Sequence, residues 1–127
     1  LAYVEDRSPY GTHQGVKGLE FSRVMVIADD AHTRFKGLAS YETLFGVKPL
    51  SAASLKKASI GEETTIERTR RLLYVTCTRA EESLALVLYS EAPGTIRTFL
   101  VSNGWMAEDE VVMAAADGSL QEAALQR

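Results

Sequence analysis

The sequence predicts an α/β fold with a mainly parallel sheet flanked by helices, and three stretches predict it. Val24-Met25-Val26-Ile27-Ala28 is a continuous apolar run of strand length. Without alternation, it has the pattern of a strand buried on both faces. Ser83–Tyr89 is a second run of the same kind. Between them a stretch opening at Glu62 or Glu63 has acids in its first turn and runs to Thr76–Arg79, as a long helix should.

That helix carries the most informative segment of the chain, R-R-L-L-Y-V-T-C-T-R-A over Arg70–Ala80. Leu72, Leu73, Tyr74 and Val75 are consecutive, so almost every direction around the axis is apolar. Burial on most sides is expected, with Ile66, Leu73 and Cys77 on the core side and Tyr74 in the core as well. Arg70 and Arg71 are expected to pair with acids or carbonyls. The helix also delivers Arg79 at its far end, and burying a guanidinium is costly unless it meets an anion.

The remaining elements follow in order. Before the first strand lies H-Q-G-V-K-G-L-E-F, His13–Phe21, where Gly15 and Gly18 flank Lys17 and let the backbone turn tightly or approach a ligand. After the strand, Asp29-Asp30-Ala31-His32 superficially resembles a magnesium-binding box. No G-x-x-x-x-G-K-[ST] phosphate loop accompanies it, so both acids read as loop residues at a strand end and no metal site is expected. Ser40–Phe45 and Ser51–Ala58 have the length of short helices, separated by Gly46 and Pro49. Pro93-Gly94 breaks the chain before a short amphipathic helix, Thr95–Ser102, that uses Ile96, Phe99 and Leu100, and Asn103-Gly104 ends it. The acidic Glu108–Glu110 and the alanine-rich end fit a peripheral strand and helix or a frayed tail.

Composition narrows the class. The 127 residues are 46% hydrophobic and 24% charged, ordinary for one soluble domain. A net charge of −3 is not that of a protein held to DNA mainly by phosphate contacts, so any nucleic acid is touched by a few residues. No apolar run approaches the ~20 residues of a membrane span. The single cysteine, Cys77, allows no intrachain disulfide, reads as a small apolar filler and favours a cytoplasmic setting. A first residue of Leu1 rather than Met leads us to expect a piece of a longer protein.

Two segments share one family resemblance. H-Q-G-V-K-G-L-E-F followed by an apolar strand is similar to the H-x-x-K-G-L-E-F box of superfamily-one DNA helicases of the UvrD, Rep and PcrA type, with three residues instead of two between His13 and Lys17. About fifty residues later, R-R-L-L-Y-V-T-C-T-R-A resembles their R-R-L-x-Y-V-x-x-T-R-A box. These are that family's fifth and sixth helicase motifs, in that order, in the second of two RecA-like domains. The resemblance implies a three-layer RecA-like (P-loop NTPase-like) fragment. Residues 1–105 would be a partial second RecA-like domain, with the fifth motif over 11–28, a variable insert over 29–61 and the sixth motif over 62–89. Residues 106–127 would be a C-terminal tail.

The resemblance also implies roles. Arg79 matches the arginine that reaches across the domain cleft to the γ-phosphate of ATP, and such a residue is worth about 10³–10⁵ in rate in related nucleotide hydrolases. Glu20 matches the carboxylate that contacts the ATP ribose, with Gly18 letting the backbone pass closely. His13 and Lys17 match positions at the backbone of single-stranded DNA, where contacts position without specifying sequence. The implied cofactor is ATP with Mg2+, the metal held mainly by the first RecA-like domain of the same full-length protein, which is the implied protein partner. No oligomer is implied. Two positions depart from the family pattern: Gly11 stands where a threonine is usual, with Thr12 shifted by one, and Thr69 stands where an acid commonly precedes the arginine pair. The resulting expectation is the C-terminal portion of an ATP-dependent DNA helicase, inactive alone. The alternatives are a non-catalytic helicase-like interaction or DNA-binding module, and a freestanding hydrolase using Asp29, Asp30 and His32. Arg79 as a plain helix-terminal cation is the competing reading of that residue.

Overall fold

A parallel pair of strands organises the chain. A computed structural model describes residues 11–12, 15–33 and 37–114. Strand β1 (Phe21–Asp29) is followed by α1 (Tyr41–Leu44), α2 (Ala52–Ser59), α3 (Thr65–Cys77), β2 (Ala80–Tyr89), α4 (Pro93–Ser102) and a 3₁₀ turn over Glu108–Glu110. The two strands pair in parallel, with Val24 opposite Leu84, Val26 opposite Leu86 and Ala28 opposite Leu88, after a register irregularity between Phe21 and Arg23. The fold is therefore mixed α/β around a two-stranded parallel sheet.

Side chains alternate across the pleat, so residues 24, 26 and 28 share one face with their β2 partners. On that face Val26 and Ala28 join Tyr41, Leu44 and Phe45 of the α1 region, Leu73 of α3, and Ile96 and Leu100 of α4 in one core. Phe45 is its centre. It is 1% exposed, and its ring meets Phe99 and Trp105 edge-on at centroid distances of 5.6 and 6.1 Å. Burying a side chain of that size stabilises the fold by about 1.5–3 kcal/mol.

The opposite face is open, which corrects the expectation of strands covered on both sides. Met25 is 65% and Ile27 54% exposed, and Tyr89 is exposed beside them. All the described helices that reach the core do so on the face of Val26 and Ala28.

The main helix also needs correction. It begins at Thr65, because Thr64 is the cap: its Oγ1 accepts from the Glu67 amide, and the Glu67 carboxylate accepts from the Thr64 amide at 2.7 Å. Glu63 is left outside the helix, where it pairs with Arg71 at 2.5 Å and Arg68 at 3.4 Å, while Arg70 lies exposed. Leu73 is buried and Ile66 and Cys77 pack against the core as expected. Tyr74 is not core. One residue, or about 100°, beyond Leu73 it points away from the sheet and is 68% exposed. Polar groups inside this apolar helix are satisfied on its own turns, since the Thr69, Thr76 and Thr78 hydroxyls donate to the carbonyls of Thr65, Leu72 and Tyr74.

Other boundaries move slightly. Strand β2 starts at Ala80 rather than Ser83, directly after the turn at Thr78 and Arg79. Pro93 opens α4 instead of preceding it, because its missing N–H costs nothing in the first helical turn. The short helices α1 and α2 fall where expected, capped by Ser40 and Ser51.

Candidate site at the N-terminal edge of the sheet

The loop entering β1 is built by Thr12. Its Oγ1 accepts from the Gly15 amide at 3.0 Å and its carbonyl accepts from the Val16 amide at 3.2 Å. The Leu19 amide then closes a turn onto the Val16 carbonyl at 3.1 Å, with Lys17 and Gly18 as its central residues. Gly18 has φ +77°, and a turn of this kind requires a positive φ at that position. A Cβ on Gly18 would meet no atom within 4 Å, so the constraint within the chain is backbone conformation and not space. Gly18→Ala should therefore lower stability by about 1 kcal/mol, read as a lower urea midpoint. Gly94→Ala, at an ordinary φ and also with open space, should not. Gly11 is different: a Cβ there would lie 2.9 Å from Val16 Cγ1. A side chain there would not fit without moving Val16. Lys17 and Glu20 project from the turn as exposed side chains.

The helix α3 turns into β2 beside this loop. The Phe21 amide donates to the Arg79 carbonyl at 2.8 Å, and Phe21 is in register with Ala80. One hydrogen bond thus ties the residue after Glu20 to Arg79 itself. Gly18, Glu20 and Arg79 are brought to one edge, at the N-terminal ends of both strands. His13 lies outside the described residues. Arg79 is half-buried, and its Nε donates to the Val75 carbonyl at 3.1 Å while Nη2 donates to Thr78 Oγ1 at 3.2 Å. The cation thereby lies against the partly negative C-terminal end of α3.

The C-terminal edge of the sheet is organised by the chain's own carboxylates. Asp30 accepts from Ser40 Oγ at 2.7 Å and from the Tyr41 and Glu42 amides at 3.0 Å each. The first-turn amides of α1 are thus satisfied internally. Ser40 donates its amide to Thr69 Oγ1 at 2.9 Å, so Thr69, fully buried, joins α1 to α3. Where an acid could have made an ion pair, a hydroxyl makes two hydrogen bonds instead. Glu42 pairs with Lys48 and accepts from Ser90 Oγ at 3.0 Å at the end of β2.

Asp29 binds His32 Nδ1 at 2.7 Å. That hydrogen bond, chiefly, holds the Asp29 carboxyl below its ordinary value of 3.8. Its contribution to stability is present above that value and is lost as pH falls below it. A cleft of about 290 Å³ lies between Asp29, His32, Thr33, Tyr41 and Leu72. Burial pushes the Tyr41 phenol up to about 12, leaving it protonated there. A second depression, about 450 Å³, is lined by Glu62, Glu63 and Glu67. Among the described residues no three His, Cys, Asp or Glu side chains gather as a metal site. Cys77 is half-buried, and burial raises its thiol pKa, as for a small core residue. No described helix is long and apolar enough to cross a membrane.

Sequence reasoning missed Asp30, Thr69 and Thr78, whose partners lie on other turns or elements. No family model, curated protein or solved structure matches the chain.

Proposed function

We propose that this chain is the C-terminal portion of an ATP-dependent DNA helicase or translocase, forming one wall of an interdomain ATP site. The observation that carries the reading is the Phe21–Arg79 hydrogen bond, which sets the H-Q-G-V-K-G-L-E-F loop beside the T-R-A turn. Two segments far apart in sequence converge on one edge, with the residues proposed for ribose and γ-phosphate next to each other. Arg79 would stabilise charge developing on the transferred phosphoryl group. Glu20 would accept from the ribose hydroxyls, and Gly18 would fix the turn that presents it. His13 and Lys17 would contact the backbone of single-stranded DNA, coupling the nucleotide state to strand grip.

ATP and Mg2+ would be held mainly by a first RecA-like domain, since these 127 residues contain no phosphate loop. The three-layer RecA-like arrangement is part of the proposal. The open row of Met25, Ile27 and Tyr89 supports it, because parallel sheets are rarely left uncovered on one face. The testing experiment compares two proteins. The 127-residue chain alone should hydrolyse no ATP with or without single-stranded DNA. A polypeptide joining it to a phosphate-loop domain should hydrolyse ATP in a DNA-dependent way. Turnover by the chain alone, or none by the joined protein, would overturn the assignment.

A further inference from the structure

The two bonds that hold Arg79 use one edge of its guanidinium. Nε–H and the adjacent Nη2–H project from the same lateral side of the planar group. The first donates to the Val75 carbonyl and the second to Thr78 Oγ1. The outer edge, made by Nη1 and the second Nη2 hydrogen, has no acceptor among the described residues.

Thr78 is itself fixed. Its hydroxyl hydrogen is directed at the Tyr74 and Val75 carbonyls, at 2.8 and 3.2 Å, and its amide donates to the Tyr74 carbonyl at 3.0 Å. With its hydrogen committed to the helix end, the oxygen turns its lone pairs to the guanidinium, and donation to carbonyls strengthens it as an acceptor. A long, rotamer-rich side chain is thus held in place by the residue before it and by the last turn of α3.

We propose that Thr78 is the positioning residue for Arg79. It clamps the lateral edge of the guanidinium so that the outer edge is presented end-on to two oxygens of one phosphoryl group. The phosphoryl ligand rests on the function proposed above; the clamp does not. A ligand seeking the lateral edge would have to displace both Val75 and Thr78. The geometry therefore selects end-on contact, and ordering the side chain in advance removes a cost that would otherwise fall on the reacting complex.

Two measurements test this. In the 127-residue chain, 15N NMR should show slowed exchange of the Arg79 Nε–H and resolved Nη signals. Thr78→Ser should keep both features. Thr78→Val should lose the resolved Nη signals without moving the backbone amides of residues 76–80, because the Nε–H bond to Val75 does not involve Thr78. In the joined ATPase, Thr78→Val should lower DNA-stimulated kcat about tenfold with KM for ATP unchanged, consistent with loss of one immobilising contact. Thr78→Ser should restore it, and Thr78→Val should add nothing in an Arg79→Ala background. Unchanged Nη signals in Thr78→Val overturn the clamp. A KM effect, or an equal loss in the Arg79→Ala background, shows that Thr78 does not act through Arg79. Normal turnover by Arg79→Ala itself removes the phosphoryl ligand, and with it the end-on contact, whatever the NMR shows.

Discussion

Arg79→Ala, made in a polypeptide that joins this chain to a phosphate-loop domain, is expected to leave ATP binding within a few-fold. It should lower DNA-stimulated turnover by roughly 10³–10⁵. The split follows from when the contact matters. A guanidinium aimed at a transferring phosphoryl group is worth most as charge shifts in the transition state, so kcat falls and ground-state affinity barely changes. The substitution also removes bonds to Val75 and Thr78 at the end of α3. A helix-terminal cation stabilises by about 0.3–1 kcal/mol, too little to unfold the domain. Urea denaturation of the variant therefore separates the two readings of this residue. A folded variant with lost turnover supports the nucleotide role, and a folded variant with normal turnover leaves Arg79 a helix cap. Arg79→Lys should recover little activity, because an ammonium lacks the planar fork that grips helix end and phosphoryl group at once.

Asp30→Ala is expected to have the largest effect on stability, about 3 kcal/mol. The carboxylate accepts from one hydroxyl and two backbone amides. Its loss resembles deletion of a helix cap, about 0.5–2 kcal/mol, plus the cost of leaving part-buried donors unpaired, about 1–3 kcal/mol. The urea midpoint should fall with the slope unchanged. Asp30→Asn, which keeps one acceptor oxygen, should lose less. If Asp30→Ala matched the wild type, the network joining β1, α1 and α3 would not be what holds that corner together.

These two residues mark what the sequence reveals. The α/β class, the parallel strands and the core role of Leu73, Ile96 and Leu100 follow from hydrophobic pattern. Pattern reports the propensity of a strand to be covered, not the presence of a cover, so the open face at Met25 and Ile27 was not legible. Tyr74 was misread for a related reason: four consecutive apolar residues go all the way round a helix, and only one side of this one meets the sheet. The T-x-x-E signature at Thr64–Glu67 was present but masked by the acids before it, which drew the helix start forward. Asp30 joins residues ten to twelve positions on, and Ser40 reaches Thr69 twenty-nine positions away, separations at which no local pattern exists. Arg79 and Glu20 could be singled out by motif. Their adjacency became visible only through the pairing of Phe21 with the turn before β2.

The parallel pairing of β1 with β2 has a kinetic consequence. Phe21 and Ala80 are partners separated by about sixty residues, and closing a loop of that length costs roughly 3–4 kcal/mol of chain entropy before any ladder bond forms. Helices α1, α2 and α3 can gain their local bonds before this pairing closes. During synthesis β1 waits several seconds for its partner at ordinary elongation rates. In that interval the row of Met25 and Ile27 and the core row of Val26 and Ala28 are both bare, which makes β1 the segment most exposed to aggregation and to chaperone binding.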